Sequence, residues 1–228
     1  MTVGWEPYAQ EFIAWARTPR HDGYWSFRHA FFELVPPAGT RTLEIGCGEG
    51  RVARDLGARG HRVVGVEPSP TLRRAAAEAD PDGEYVDSVA EALPFAGESF
   101  DLVVAYNSLM DVDDMPRAVR EAARVLERDG RLCACVTHPF GDAGRFESAD
   151  GGARFVVGES CLARRDYVLA LERDGLHLTF GSRTYPLGDY MCALEDAGLL
   201  VEAMREPRLD SGRRARIPAF LMFRAVKR

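Results

Sequence analysis

From residue 41 to residue 138 the chain alternates two kinds of hydrophobic pattern. Short β-rich runs, RTLEIG, RVVGVE, EYV, FDLVVAY and GRLCACVTH, are separated by stretches at 50–59, 70–79 and 114–127 that pattern as helices. Strand and helix in alternation predict an α/β fold, a doubly wound, mostly parallel sheet with right-handed crossovers and helices on both faces. LVVA and LCACV are apolar at every position, as central strands covered on both faces must be. In the 114–127 helix Met115, Ala118, Val119, Ala122 and Leu126 form the apolar stripe, with Arg117, Arg120, Glu121 and Arg124 opposite. Asp113 and Asp114 precede it as caps and Pro116 stands in its first turn. A last helix at 187–197 carries Leu187, Tyr190, Met191 and Leu194 on one face and stops at Gly198, and the strands LLVEAMRE and IPAFLMFRAV follow.

Two segments stand outside this alternation. Residues 1–36 pattern as helices and hold Trp5, Tyr8, Trp15, Tyr24 and Trp25, more aromatic surface than an exposed helix needs. Residues 140–185 contain YVLALERDGLHLTF, with period-two alternation on both sides of Asp-Gly, the strongest short hairpin signal. The expected organisation is one domain over 1–228: an N-terminal helical cap (1–36), a ligand-binding half-sheet (37–139), an inserted β-hairpin lid (140–185), and a closing helix with two strands (186–228). Both insertions are placed to cover the carboxyl edge of the sheet, where such folds bind ligands.

Composition narrows the chemistry. With 228 residues, 46% hydrophobic and 28% charged, the chain reads as a soluble globular domain without a membrane span, and the early acidic residues of MTVGWEPYAQEF do not form a secretory signal, so the cytoplasm is the expected compartment. A formal charge of −6 argues against nucleic acid as the partner, and the arginines of REPRLDSGRRAR read as a solvated loop. Cys47, Cys133, Cys135, Cys161 and Cys192 have neither disulfide nor zinc spacing and read as buried thiols, while His61 in ARGHRVV reads as exposed. A monomer and a homodimer are both compatible with the pattern.

The stretch TLEIGCGEGR places Gly46, Gly48 and Gly50 at alternate positions behind a strand, with Glu44 two residues before the first. A dinucleotide fingerprint needs G-x-G-x-x-G, whereas here the third glycine comes one residue early and Glu44 would repel a pyrophosphate. The pattern instead suits a nucleoside that carries a cation and no phosphate.

LEIGCGEG, VVGVEPS, ALPFAGESFDLVV and AARVLERDGRLCACV, in that order over residues 41–137, resemble the motifs of the class I S-adenosylmethionine-dependent methyltransferases, and in particular their small-molecule branch. The resemblance implies a Rossmann-like seven-stranded sheet, S-adenosylmethionine as cofactor with S-adenosylhomocysteine as product, no metal, and direct in-line methyl transfer. It implies that Gly46, Cys47, Gly48 and Gly50 run beneath the cofactor, that Glu44 holds a loop donor or the ammonium group, and that Glu67, 19 residues after Gly48, accepts from the ribose hydroxyls, with Pro68 beside the adenine. The family's adenine-binding aspartate is replaced by Val89 in DSVAEALPF, so Ser88, Val89 and Ala90 are expected to border the adenine, its amino group being met by Ser88, Asp87, main chain or water. Tyr106 and Asn107 are expected at the methionine end.

For the acceptor, the candidates are Asp111, which is a catalytic carboxylate or a turn former, and His138, which is a general base after the fifth strand or is bonded to a main-chain carbonyl. Tyr8, Trp25 and His138 are the expected substrate-binding residues. The aromatic cap and apolar hairpin point to a small, partly apolar acceptor, with O-methylation favoured slightly over the other atoms. The rival readings are a cofactor-binding protein with a non-methylating role such as cyclisation or sensing, and an NAD-dependent oxidoreductase.

Overall fold

The structure, a computed structural model, describes residues 4–228, so the first three residues of the expected cap lie outside the described residues. After a 3-10 turn at Glu6–Tyr8 come α1 (Ala9–Arg17) and α2 (Gly23–Phe32). The expected alternation follows as β1 (Thr42–Ile45), α3 (Arg51–Gly57), β2 (Val63–Val66), α4 (Pro70–Ala79), β3 (Glu84–Val86), β4 (Phe100–Tyr106), α5 (Met115–Val125) and β5 (Leu126–Thr137). The insertion holds the one-turn α6 (Pro139–Asp142), the short pair β6 (Gly144–Phe146) and β7 (Phe155–Val157), and the long pair β8 (Arg165–Arg173) and β9 (Leu176–Thr184). α7 (Leu187–Asp196), β10 (Leu199–Arg205) and β11 (Phe220–Lys227) close the chain. Among the described residues no helix is long and apolar enough to cross a membrane.

Seven strands form one sheet in the order β10-β11-β5-β4-β1-β2-β3. β1 lies between β2 and β4 and is parallel to both, whereas β11 is antiparallel to β5 and β10. The strand order therefore reverses at β1, which opens a crevice beyond its carboxyl end. The period-two alternation of β4 divides its side chains between two cores. Val103 and Ala105 pack with α5 and α7, while Leu102, Val104 and Tyr106 pack with α2 and α3. Local signals set the helix starts: Ser69 Oγ accepts from Leu72 N at 3.2 Å ahead of α4, and Asp114 Oδ1 accepts from Arg117 N at 3.0 Å ahead of α5.

Several expectations are corrected by packing. Leu126 leaves the α5 stripe, taking φ −68° and ψ 136° to begin β5. His61 is buried, with Nδ1 3.0 Å from Thr42 Oγ1, and burial lowers its pKa. Cys47, Cys133 and Cys135 are buried free thiols, but Cys192 is exposed. The segment 1–36 is not one cap. α2 is a structural layer of the sheet, with Tyr24, Phe27 and Phe31 buried at spacing i, i+3, i+7 against Leu102, Val104 and Tyr106, and it reaches the cavity only at its start, through Asp22, Gly23 and Tyr24, whereas α1 lies over the carboxyl edge beside β9.

Phe31 is fully buried, with its ring edge-on to Tyr106 at 4.9 Å. Phe31→Ala should destabilise the fold by about 3–5 kcal/mol in urea unfolding, and a loss below 1 kcal/mol would show that α2 is a detachable cap.

Candidate active site

A single cavity of about 710 Å³ opens at the carboxyl ends of β1, β2, β4 and β5, roofed by α1 and the β8–β9 hairpin. Its floor is the glycine turn. Gly46 and Gly48 have φ +67° and +56°, a region that favours glycine, and a Cβ on Gly46 would lie 2.5 Å from Ser108 Cβ. Gly50 is not on the cavity wall. It caps α3 at φ +83°, where a Cβ would meet Ala76 Cβ at 2.9 Å, so its role is to let α3 pack on α4. Cys47 lines the floor, and its thiol is pushed up by burial.

Glu67 and Glu44 supply the buried carboxylates. Glu67 Oε2 accepts from Gly48 N and Oε1 from Ser69 N, both at 2.9 Å, which joins the turn after β1 to the turn after β2 and leaves each oxygen a further lone pair toward the cavity. Burial raises its pKa. Glu44 is 2% exposed, Oε2 has no hydrogen-bond partner among the described residues, and burial followed by the nearby Glu49 carboxylate pushes its pKa well up. Asn107, held at φ +52° with N donating to Cys135 O at 2.8 Å, presents a second unpartnered buried acceptor, Oδ1. Two orphaned acceptors on one wall match an ammonium group, which has only donors. Tyr106 lines the same wall, its ring edge-on to Tyr24 and Phe31 and its hydroxyl beside the Cys135 thiol.

Pro68, Ser88, Val89 and Ala90 border the cavity beyond Glu67. Asp87 does not line it, because Arg73 holds that carboxylate at 3.1 Å. Ser88 Oγ donates to the carbonyls of Val89 and Ala92 at 3.1 and 3.0 Å, and so faces the cavity as an acceptor.

Asp111 is the most engaged acid on the acceptor side. Trp5 Nε1 donates to Oδ2 at 3.0 Å and Ser182 Oγ to Oδ1 at 2.5 Å, so α1's leading turn and the hairpin each grip one oxygen. Burial raises its pKa to about 7, against the opposing effect of those two bonds. The hairpin turns at Asp174 and Gly175, φ +51° and +77°, the Asp-Gly geometry read from the sequence. Phe180 stacks on Trp5 at 5.3 Å, and Leu169, Leu171 and Leu178 complete an apolar roof.

Three expected acceptor residues do not line the cavity. Tyr8 closes the 3-10 turn, and Trp5, Phe12 and Trp15 reach the cavity instead. Trp25 lies one residue off the buried stripe of α2 and carries the Arg28 guanidinium at 5.1 Å. His138 caps α6: Nδ1 accepts from Phe140 N at 3.1 Å, so Nε2 bears the proton and faces Glu206 Oε1 at 2.8 Å, leaving no free nitrogen for a substrate. Residues that sequence patterning passed over do reach the cavity, among them Ser182, Tyr167, Arg214 and His21, whose ring nitrogens are buried without hydrogen-bond partners among the described residues. The period-two pattern of YVLALERDGLHLTF placed Tyr167 on a strand but not on the cavity side, and it ended two residues before Ser182.

Residues 43–134 match the family model described as a methyltransferase domain. The chain is 32% identical over 179 residues to a ubiquinone biosynthesis O-methyltransferase of Methylobacterium sp. (strain 4-46), covering 72% of this chain and 71% of the relative. It is 38% identical over 164 residues to 27-O-demethylrifamycin SV methyltransferase of Amycolatopsis mediterranei, covering 60% of each. A crystal structure of an S-adenosylmethionine-dependent methyltransferase from Mesorhizobium loti shares the fold with a TM-score of 0.73 at 22% identity, over 90% of this chain and 98% of that one.

Asp111 generates a stability test. Its carboxyl ionises near the ordinary 3.8 in the unfolded chain but only near about 7 in the folded one. Its contribution to stability is therefore full below about pH 4, falls as pH rises through the folded value, and is flat above it. In urea unfolding, wild type should lose up to about 4 kcal/mol relative to Asp111→Asn between about pH 4 and pH 8. A pH-independent difference would mean that the carboxyl ionises normally.

Proposed function

From the premise that this chain belongs to the class I S-adenosylmethionine-dependent methyltransferases, we propose that it methylates a hydroxyl oxygen of a small, partly apolar acceptor. The observation that carries this reading is the continuity of one cavity from the Glu44, Gly48 and Glu67 floor to the half-buried carboxylate of Asp111 under the hairpin. The two relatives named for O-methylation support oxygen as the methylated atom.

Glu44 and Asn107 would hold the cofactor's ammonium group, Glu67 its ribose hydroxyls, and Ser88, Val89 and Ala90 the adenine edge. When bound, S-adenosylmethionine supplies a methyl carbon already made electrophilic by its sulfonium. The protein's work is then positioning: the acceptor oxygen must be held in line with the breaking bond and shed its proton. Asp111 receives that proton on a carboxylate oxygen, and a value near 7 keeps a base available at neutral pH while making it basic enough to help. Trp5 and Ser182 hold the carboxylate in place, so the base is set only while α1 and the hairpin are docked. Leu169, Leu171, Leu178 and Phe180 then exclude water. We assign α1 and residues 140–185 as the lid, and 37–139 as the cofactor-binding half.

Glu67→Ala should weaken S-adenosylmethionine binding about tenfold or more in calorimetric titration, and an unchanged affinity removes Glu67 from the ribose site. Asp111→Asn should lower the rate of S-adenosylhomocysteine formation by about 10²–10⁴-fold with cofactor affinity nearly unchanged. The wild-type rate should rise with pH through about 7 and the variant's should not. A variant that keeps both rate and profile would leave positioning as the whole mechanism.

A further inference from the structure

The β10–β11 loop brings Arg214 to the cavity wall on the β5 side, away from the glycine turn and next to Thr137, Asp142, Tyr167 and Phe220. The arginines around it behave differently. Arg213 donates to Ser148 O at 3.0 Å, and Arg216 donates to Gly151 O at 3.0 Å and to Ala153 O. Arg214 makes no hydrogen bond or ion pair among the described residues; its guanidinium lies over the Phe146 ring at 5.9 Å, and partial desolvation at the cavity rim lowers its pKa. Arg214 is exposed at the rim, so its five guanidinium donors are open to a ligand that enters the cavity.

Asp142 does not meet that need. Its Oδ2 accepts from Thr137 Oγ1 at 2.5 Å, and its carboxylate also faces Arg165 and His138, with Arg165 Nη2 donating to Asp142 O at 2.9 Å. Arg165 is in turn paired with Glu159 at 3.3 Å and His138 with Glu206 at 2.8 Å, so Arg214 is the cation of this corner that no carboxylate bonds directly among the described residues. The corner is also close to Asp111: Ser182, which grips Asp111, lies opposite Tyr167 in the hairpin register, and Tyr167 is near both Asp142 and Asp111. A hydroxyl at Asp111 and an anionic group at Arg214 fit within one small molecule, with its apolar body under Leu169 and Phe220.

We propose that Arg214 anchors the acceptor's carboxylate through a two-pronged contact, so that the molecules methylated here are partly apolar hydroxy acids. Arginine's planar fork matches a carboxylate in a way that a lysine ammonium does not. This inference rests on the methyltransferase reading above and narrows its acceptor.

The test uses the full chain saturated with S-adenosylhomocysteine and titrates 2-naphthoate and its neutral isostere 2-naphthamide by calorimetry. The carboxylate should bind at least tenfold more tightly. Arg214→Gln should abolish that preference while leaving S-adenosylhomocysteine affinity unchanged, and Arg214→Lys should restore only part of it. Naphthoate binding no tighter than naphthamide, or a preference that survives in Arg214→Gln, overturns the anion anchor and leaves the methyltransferase reading standing. Failure to bind S-adenosylhomocysteine would overturn both readings together.

Discussion

The carboxylate of Glu67 is the contact on which the site depends. It is almost fully buried, and the cost of burying it is offset by two main-chain donors, Gly48 N from the turn after β1 and Ser69 N from the turn after β2. Those turns leave the carboxyl ends of adjacent strands, so one side chain ties together the β1 and β2 side of the crevice. The positive φ of Gly46 and Gly48 then turns the chain beneath the cavity, and Gly50 lets α3 start immediately afterward.

The roof obeys a different constraint. β8 and β9 form their own two-stranded sheet, and an isolated hairpin is marginal in water. It is held by contacts with α1 and the segments on either side of it: Glu11 accepts from Thr179 N at 2.9 Å, Phe180 stacks on Trp5, and Arg173 donates to Arg20 O at 2.7 Å. Asp111 sits where these pieces meet the floor and is the one acid gripped by both. Enclosure by these pieces is what raises its pKa. Glu6, which receives Ser69 Oγ and accepts from Thr71 Oγ1 at 2.6 Å, ties the start of the chain to the cofactor side of the crevice.

The strands and helices of the half-sheet were legible because each carries its own periodicity: LVVA is apolar on both faces and becomes a central strand, and the α5 stripe becomes one wall of the core. The floor of the cavity was legible for a similar reason, since glycine spacing and strand-terminal acids are local features with local causes. Gly50 was assigned to the cofactor because spacing does not say which of three glycines contacts a ligand and which serves helix packing.

The acceptor side was much less legible. Aromatic density in residues 1–36 signalled burial but not its destination, and the sheet took α2 while the cavity took Trp5, Phe12 and Trp15. His138 looked available because it follows a strand end, yet the Pro139 turn and Glu206 occupy both of its nitrogens. Arg214 looked like one of several solvated arginines until the β10–β11 loop folded back onto β5. The sequence by itself therefore determined the sheet, its order of elements and the chemistry of its floor, because those follow from contacts a few residues apart. Only the tertiary structure decided which acid is gripped by the roof, which histidine is spent and which arginine faces the cavity, because desolvation and pairing depend on side chains far away in the chain, as with Asp111 and Ser182 at a separation of 71 and His138 and Glu206 at 68.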